Sequence, residues 1–165
     1  MINKQIATLI NEQVNKELYS AYLYLDFANY FEDCGLDGFA HWYELQAQEE
    51  MDHALKMRKY LIDNGLHVNL DAIAKPNNKF ENPIDVLKAG LEHERYVTSL
   101  INSIYDVAFD VREYKTMQFL DWFVKEQVEE EKNAEDLLKK MEIFSSDSKG
   151  LYSLNQELKG RTLAN

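Results

Sequence analysis

Apolar residues recur every three or four positions along most of the chain, which is the spacing of one face of an α-helix. The first such stretch covers about Asn3–Glu32 and the second covers about Asp37–Asn64. Asp37 stands where a helix N-cap is expected. The pattern predicts two long helices joined by a tight turn, with Leu25 and Leu55 among the apolar positions of their buried faces.

A different pattern covers about Leu66–Asn82, where turn residues replace the apolar spacing. This connection is long enough to cross the length of a helical bundle. A third helix is predicted over about Pro83–Val111, because proline suits the first turn of a helix. The chain is predicted to turn near Arg112-Glu113-Tyr114, and a fourth helix then runs to about Ile143, with Trp122 among its apolar positions. A polar link then leads to a short fifth helix, about Leu151–Lys159.

These elements predict an all-α fold that forms one domain over residues 1–165. Its main part, about 3–143, is a four-helix bundle with a long crossover between the second and third helices. The fifth helix, about 151–159, follows at the C-terminus. With 165 residues and 45% hydrophobic side chains, the chain is large enough to bury a sizeable core.

The charge and cysteine content narrow the classes of function. A net charge of -11 argues against nucleic acid or an anionic membrane as the partner, and it suits the handling of cations. The single cysteine, Cys34, has no partner for an internal disulfide, which favours a reducing compartment. The N-terminus does not resemble a secretion signal, and no run approaches the roughly 20 apolar residues of a membrane span. We therefore expect a cytoplasmic protein.

Four carboxylates interrupt the apolar faces, one on each long helix. Glu17 and Glu50 are equidistant from the first turn, and Glu94 and Glu130 are equidistant from the second. All four lie roughly 25 Å from their turns at 1.5 Å per helical residue. His53 follows Glu50 by three positions and therefore shares its helix face. If the two helix pairs pack as one bundle, the four acids meet at mid-height.

Four buried carboxylates without compensation would cost more than the net stability of a domain. A pair of divalent cations is the simplest compensation. Oxygen ligands with one imidazole suit iron or manganese and also admit zinc, although a structural zinc site more often uses cysteines. A Glu-x-x-His pair alone is weak evidence, because it is common on solvated helix faces. A metal-free helical interaction bundle, in which the four acids lie on the surface, therefore remains the alternative.

Four segments of the chain resemble signatures of the bacterial non-haem ferritins. They are NEQVNKELYSAYLYL, QAQEEMDH, FLDWFVKEQVEEEK and GLYSLNQEL, and they occur in the family's order and at its separations over nearly the whole chain. The resemblance implies a ferritin-like bundle with a di-iron ferroxidase centre. It also implies a hollow shell of twenty-four subunits that stores ferric mineral, after Fe(II) is oxidised with dioxygen or hydrogen peroxide.

The resemblance also implies residue roles. The first iron site would comprise Glu17, Glu50 and His53, with Gln127 nearby, and the second Glu94 and Glu130, with Glu50 bridging. Tyr24 and Trp122 match aromatic residues beside the centre, and Tyr24 would hydrogen-bond a ligand or supply an electron. A third, outer iron site would be formed by the following acids: Glu49, Glu126, Glu129 and Glu130.

Two further readings concern haem and the remaining reactive side chains. Met51 stands where the related bacterioferritins place a haem-ligating methionine, so a haem-containing bacterioferritin is a second alternative. The second Glu-x-x-His motif of that class is replaced here by Gln127-x-x-Glu130, and we expect no haem.

We expect surface or hydrogen-bonded roles for the other histidines and a turn position for Cys34. Those histidines are His41, His67 and His93.

Overall fold

Five helices account for the regular structure of the chain. The computed structural model describes residues 1–77 and 79–163, and no strand occurs within them. The helices are α1 (Lys4–Asp33), α2 (Asp37–Asp63), α3 (Pro83–Asp110), α4 (Tyr114–Phe144) and α5 (Ser148–Leu158). The predicted all-α bundle with a crossover and a short fifth helix is confirmed. The predicted starts and ends of α1 to α3, and the predicted end of α4, lie within one residue of the observed limits.

Two helical hairpins form the bundle. The turn between α1 and α2 contains Gly35 at φ 74°, and the turn between α3 and α4 contains Arg112 at φ 55°. Both residues adopt the left-handed conformation that lets a helix end abruptly. Cys34 is exposed in the first of these turns, as predicted.

The core is divided into two apolar clusters, one towards each end of the bundle. One cluster surrounds Phe31 and Phe39, near the turn between α1 and α2. The other surrounds Ile6 and Met57, near the start of α1 and the end of α2. The buried carboxylates belong to neither cluster and lie between them along the helices. The fold therefore encloses a polar layer between two apolar ones.

The crossover runs along α1 from one end of the bundle to the other. The backbone of Asn69 exchanges hydrogen bonds with the side chain of Asn11, with N···O distances of 3.1 and 2.8 Å. Farther along, the amide of Asp71 donates to Asn15 at 2.8 Å, and the ring of Phe80 packs against Phe27. As a result, α3 begins near the start of α2 and runs parallel to it.

The prediction that Asp37 caps α2 is wrong. Leu36 is the N-cap residue and makes no side-chain cap, and Asp37 is the first residue of the helix. The cap comes from α5, where Oδ1 of Asn155 accepts hydrogen bonds from the amides of Gly38 and Phe39 at 2.7 and 3.3 Å. Asp37 instead pairs with Lys159 at 2.8 Å. A side chain distant in sequence thus satisfies the free amides of α2.

The predicted start of α5 is also wrong, by three residues. The helix begins at Ser148, within the segment predicted as a polar link. Asp147 explains the difference, because its carboxylate accepts hydrogen bonds from the amides of Lys149 and Gly150 at 3.3 and 3.1 Å. An aspartate with these bonds is a strong N-cap.

Three predicted apolar-face residues are exposed in this chain. Leu25, Leu55 and Trp122 have exposed fractions of 46%, 48% and 38%. Their three- and four-residue spacing fits the apolar pattern, but no other described part of the chain fully covers these side chains. In the described part of the chain, no helix combines the length and apolar character needed to span a membrane.

Candidate metal centre

Three side chains from α1 and α2 converge in the polar layer. One ligand atom from each of Glu17, Glu50 and His53 lies within 4.8 Å of the other two. All three residues are buried, and so are Glu94 and Glu130 from α3 and α4, with exposed fractions between 1 and 4%. The four long helices thus each supply a buried carboxylate, as the equal distances from the two turns predict.

Two of these carboxylates each have one buried oxygen that accepts no hydrogen bond from the described residues. Oε1 of Glu17 accepts a hydrogen bond from Nε2 of Gln13 at 2.8 Å. Within the described residues, Oε2 of Glu17 and Oε2 of Glu50 are buried without a hydrogen-bond partner, although Oε2 of Glu50 lies 3.3 Å from Nδ1 of His53. Buried carboxylate oxygens are costly unless a donor or a cation compensates them. The donor set therefore fits a hard metal ion.

Glu94 is held by two neighbours. The Tyr24 hydroxyl donates a hydrogen bond to Oε1 of Glu94. Nε2 of Gln127 donates to Oε2 at 3.2 Å, and it also lies 3.2 Å from the Glu94 carbonyl and from the Thr98 hydroxyl. Tyr24 thus makes a hydrogen bond to a carboxylate, and its two predicted roles at a metal centre stay predictions. Gln127 contacts Glu94, the carboxylate predicted for the second site.

Glu130 faces the same interior region from α4. Its Oε2 accepts a hydrogen bond from Nε2 of Gln46 at 2.8 Å. Glu94 and Glu130 line one narrow cavity together with Tyr24 and Gln46. These two carboxylates therefore border a common space between the helix pairs.

His53 connects this interior to an outer cleft. Its Nδ1 faces Glu50, and its Nε2 lies 3.8 Å from Oε1 of Glu126. Ligand atoms of His53, Glu126 and Glu130 also lie within 4.8 Å of one another. His53 is predicted to belong to the first site alone, whereas in the structure its two ring nitrogens face carboxylates on opposite sides.

The outer cleft has a volume of about 380 Å³, and most of the residues that line it are acidic. The Nζ atom of Lys56 lies over the Trp122 ring, 3.1 Å from its centroid, and the ring of Trp122 lies 5.4 Å from that of His53. Glu126 is partly buried in the cleft, and Glu129 is exposed. The lining residues are Glu49, Asp52, His53, Lys56, Trp122, Glu126 and Glu129.

Burial and mutual repulsion shift the pKa values of the centre. Burial, then the charges of Glu94 and Glu17, raises the pKa of Glu50 well above its ordinary value. Burial raises the pKa of Glu94 to about 7, and burial with the charge of Glu94 raises the pKa of Glu130 to about 8. Burial opposes charge on His53, but the carboxylates of Glu126 and Glu50 outweigh it and raise its pKa to about 11. A bound cation would reverse these preferences and release protons.

Residues 7–144 match the family model for the ferritin-like domain. The chain belongs to the ferritin family. It is 35% identical to a protein of Campylobacter jejuni named bacterial non-heme ferritin, over 99% of this chain and 98% of the relative. A protein of the same name from Bacteroides fragilis is 37% identical, over 96% of this chain and 98% of the relative. The resemblance to bacterial non-haem ferritins is confirmed.

A solved ferritin structure extends this likeness to the backbone. An open pore ferritin of Archaeoglobus fulgidus superposes with a TM-score of 0.95 at 38% identity, covering 98% of this chain and 100% of that one. The ferritin-like bundle predicted from the sequence is therefore confirmed over nearly the whole chain. The roles of individual residues stay predictions.

Three residues that bond to the acids of this centre and its outer cleft were not predicted from the sequence. Gln13 lies four residues before Glu17, and this spacing on one helix face was an available signal. Gln46 lies four residues before Glu50 but bonds to Glu130 on another helix, which no local spacing indicates. Arg161, in the C-terminal tail, pairs with Glu49 at 2.8 Å.

The remaining histidines lie outside the cluster of carboxylates. His41 contacts the carbonyl of Arg161 at 2.8 Å, and His67 is exposed. His93 is mostly buried and contacts Oγ of Ser20 at 2.7 Å, and burial lowers its pKa to about 4. These positions agree with the surface and hydrogen-bonded roles that were predicted. Met51 has an exposed fraction of 42%.

Proposed function

We propose that this chain is an iron storage subunit that oxidises Fe(II) at a two-metal centre between its helices. The observation that carries the proposal is the convergence of four buried carboxylates and His53 in a layer where, among the described residues, no lysine or arginine pairs with the carboxylates. The ferritin family and the named relatives, which are non-haem ferritins, support the same function. Iron is the substrate and the stored cargo.

The ligand assignment follows from the positions of the side chains. Glu17, Glu50 and His53 would bind the first ion, because their ligand atoms lie within 4.8 Å of one another. Glu94 and Glu130 would bind the second, with Glu50 bridging and Gln127 orienting Glu94. A third ion would bind in the outer cleft to the predicted acids, with His53 in reach: Glu49, Glu126, Glu129 and Glu130.

The proposed reaction is a two-electron oxidation. Two Fe(II) ions each lose one electron, and dioxygen takes up both electrons and two protons to give hydrogen peroxide. Peroxide in turn accepts two protons and the two electrons of two further Fe(II) ions to give two waters. The carboxylates favour the product, since Fe(III) carries more positive charge than Fe(II). Tyr24 and Gln46 hold Glu94 and Glu130 in place during the change.

The stored product would accumulate inside a shell of twenty-four subunits in the cytoplasm. The exposed apolar side chains on the bundle, including Leu25 and Leu55, are available for contacts between subunits. The net charge of -11 would steer cations towards the shell and its interior. Dioxygen or hydrogen peroxide serves as the oxidant.

The test is anaerobic Fe(II) binding combined with the rate of Fe(II) oxidation in air. We expect about two ions per chain in the interior, and about three when the outer cleft is occupied. Glu17→Ala and His53→Ala should each remove one interior ion and slow oxidation by about ten- to a hundred-fold. Glu44→Gln, which changes an exposed acid of α2, is the matched control and should alter neither quantity.

Binding of no iron, or unchanged oxidation in Glu17→Ala and His53→Ala, would overturn the proposal. The alternative of a metal-free bundle assumed that the four acids lie on the surface, and this assumption is wrong because all four are buried. The haem alternative predicts a Soret band in the purified protein, and we expect none.

A further inference from the structure

The C-terminal tail brings one cation to the edge of the outer cleft. The guanidinium of Arg161 donates hydrogen bonds to Oε2 of Glu49 at 2.8 Å, to the carbonyl of Trp42 at 3.0 Å and to Oε1 of Gln46. The same group lies over the Trp42 ring, 3.9 Å from its centroid. The side chains of Arg161 and Glu49 are each only 14% exposed, so solvent screens this ion pair weakly.

The contacts around Arg161 fix its position without Glu49. Arginine only donates hydrogen bonds, so the oxygen of the Gln46 amide must face it. The amide nitrogen of Gln46 then faces Glu130 and donates to it at 2.8 Å. With the Trp42 carbonyl and ring, this arrangement keeps the guanidinium beside Glu49 as a preorganised cation.

We propose that Arg161 is a resident competitor for the outer metal site. Glu49 is one of the acids proposed for that site, and its ion pair with Arg161 must break or rearrange when a metal takes the carboxylate. Arg161 thereby lowers the affinity of the outer cleft for iron while leaving the interior pair available. This inference rests on the proposed function, because it requires iron at the outer acids. Arg161 contacts no proposed interior ligand directly and acts through Glu49.

The competition has a direct consequence for the order of filling. Interior ions meet buried carboxylates whose charges lack a nearby lysine or arginine among the described residues, whereas an outer ion must displace a guanidinium. The interior sites should therefore fill before the outer one. An outer ion should also alter the surroundings of Trp42, because the cation that stacks on its ring loses one of its anchors.

Anaerobic Fe(II) titration of the assembled protein by calorimetry tests the competition. Arg161→Gln should bind the outer ion about tenfold more tightly than the unmodified protein, because a charge-assisted bond no longer opposes it. Arg161→Lys keeps the charge but loses the planar fork, so it should fall between the two. In a Glu49→Gln background, Arg161→Gln should produce no gain. Lys159→Gln is the control, since it removes a tail cation that pairs with Asp37 instead.

A second measurement follows the tail itself. In a Trp122→Phe background, Trp42 is the remaining tryptophan, and Zn²⁺ provides a redox-inert probe. Saturation of the outer site should change the emission of Trp42 when Arg161 is present, and the same step should be silent in Arg161→Gln. Circular dichroism of each variant verifies that the helices are intact.

Unchanged or weaker outer binding in Arg161→Gln would overturn the inference, and so would a gain that persists in Glu49→Gln. If a third ion binds only to Arg161→Gln, the inference is supported, because Arg161 then excludes the ion completely from the unmodified protein. If neither protein binds a third ion, the result counts against the inference. The proposed function fails differently, through missing interior ions. Two interior ions that depend on Glu17, with outer binding indifferent to Arg161, would leave the function and remove only the inference.

Discussion

Three of the four carboxylates of the centre accept a hydrogen bond from a neutral side chain on another part of the bundle or one turn away. Gln13 holds Glu17, Tyr24 holds Glu94, and Gln46 holds Glu130. Neutral donors orient a carboxylate without adding a positive charge, so a metal ion that displaces its proton meets the full negative charge. Such supporting contacts commonly alter metal affinity by about ten- to a hundred-fold when they are removed. The preorganisation of this centre therefore depends on amides and a phenol as much as on the acids.

Replacing Tyr24 by phenylalanine should separate its two predicted roles. The variant leaves the buried Glu94 with only the Gln127 amide as a side-chain donor among the described residues. If Tyr24 orients Glu94, anaerobic binding of the second Fe(II) should weaken by about tenfold, the equivalent of one charge-assisted hydrogen bond. Calorimetric titration measures this affinity, and oxidation should slow only when the second site is unfilled.

Tyr43→Phe is the matched control for this variant. Tyr43 is buried in contact with the Tyr24 ring at a centroid distance of 5.5 Å, and its hydroxyl faces Gly90. It should leave the second affinity unchanged. Normal binding with slow oxidation at saturating Fe(II) in Tyr24→Phe would instead assign electron transfer to this tyrosine.

A site residue could be predicted from the sequence when it interrupted the apolar spacing of its helix. Glu17, Glu50 and Glu94 interrupt apolar stripes, and this made them visible in the sequence. Arg161 disturbs nothing around it, and its partners lie more than a hundred positions away. Long-range polar contacts of this kind depend on how the elements dock, which periodicity alone does not encode.

At the level of elements, α5 is attached to the bundle by a hydrogen-bonded cap. Asn155 is buried, accepts hydrogen bonds from the first amides of α2 and donates one to Asp37 at 2.9 Å. The backbone at Gly38 approaches so closely that a Cβ atom there would lie 1.8 Å from the Asn155 carbonyl. Glycine is required at this contact, because any side chain would push α5 away.

Asn155→Ala should loosen α5 without disturbing the four long helices. The change removes a cap and leaves two amides of α2 without their acceptor, at a cost of about 2 kcal/mol. Amides of α5 should then exchange with deuterium roughly thirty-fold faster, which mass spectrometry of its peptides would measure. Asn29→Ala, at an exposed position of α1, is the control. Unchanged protection of α5 would show that the cap does not hold it.

The helices themselves were more predictable than their ends. Long periodic stretches defined α1 to α4 almost to the residue, since their apolar faces bury the two clusters of the core. The start of α5 was wrong because the Asp147 cap overrides a polar composition that resembles a loop. The predicted N-cap of α2 was wrong because the side chain of Asn155, from α5, accepts the hydrogen bonds of the first α2 amides. Short elements depend more on such individual contacts.

At the scale of the whole molecule, the metal-free fold buries several acidic side chains close together in its middle layer, where their negative charges would repel one another. Two apolar clusters stabilise the ends of the bundle, and the buried acids lie between them. The pKa values of Glu50, Glu94 and Glu130 are raised, which favours their neutral forms. The native state must therefore hold protons that an unfolded chain would release at neutral pH. Folding and proton binding are consequently linked in the protein before it binds iron.

This linkage predicts that the metal-free protein loses stability as the pH rises from about 6.5 to 8.5. Glu94 and Glu130 have native pKa values of about 7 and 8, above their ordinary 4.5, so the native state binds more protons than the unfolded one in this range. His53, raised to about 11, acts in the same direction. The loss should total a few kcal/mol, on the order of one to four, because the groups titrate together.

Denaturant unfolding of the chelator-treated protein at several pH values measures this slope. Below pH 6.5, His93 has the opposite effect on stability, because its native pKa of about 4 means that protonation of this residue favours unfolding. The comparison of unfolding free energies therefore begins at pH 6.5. Glu94→Gln should flatten the slope by removing one of the titrating groups. Saturating Zn²⁺ should abolish it, because a bound cation stabilises the ionised carboxylates that high pH produces. A metal-free protein that gains stability from pH 6.5 to 8.5 would contradict the proposed compensation of these acids by a cation.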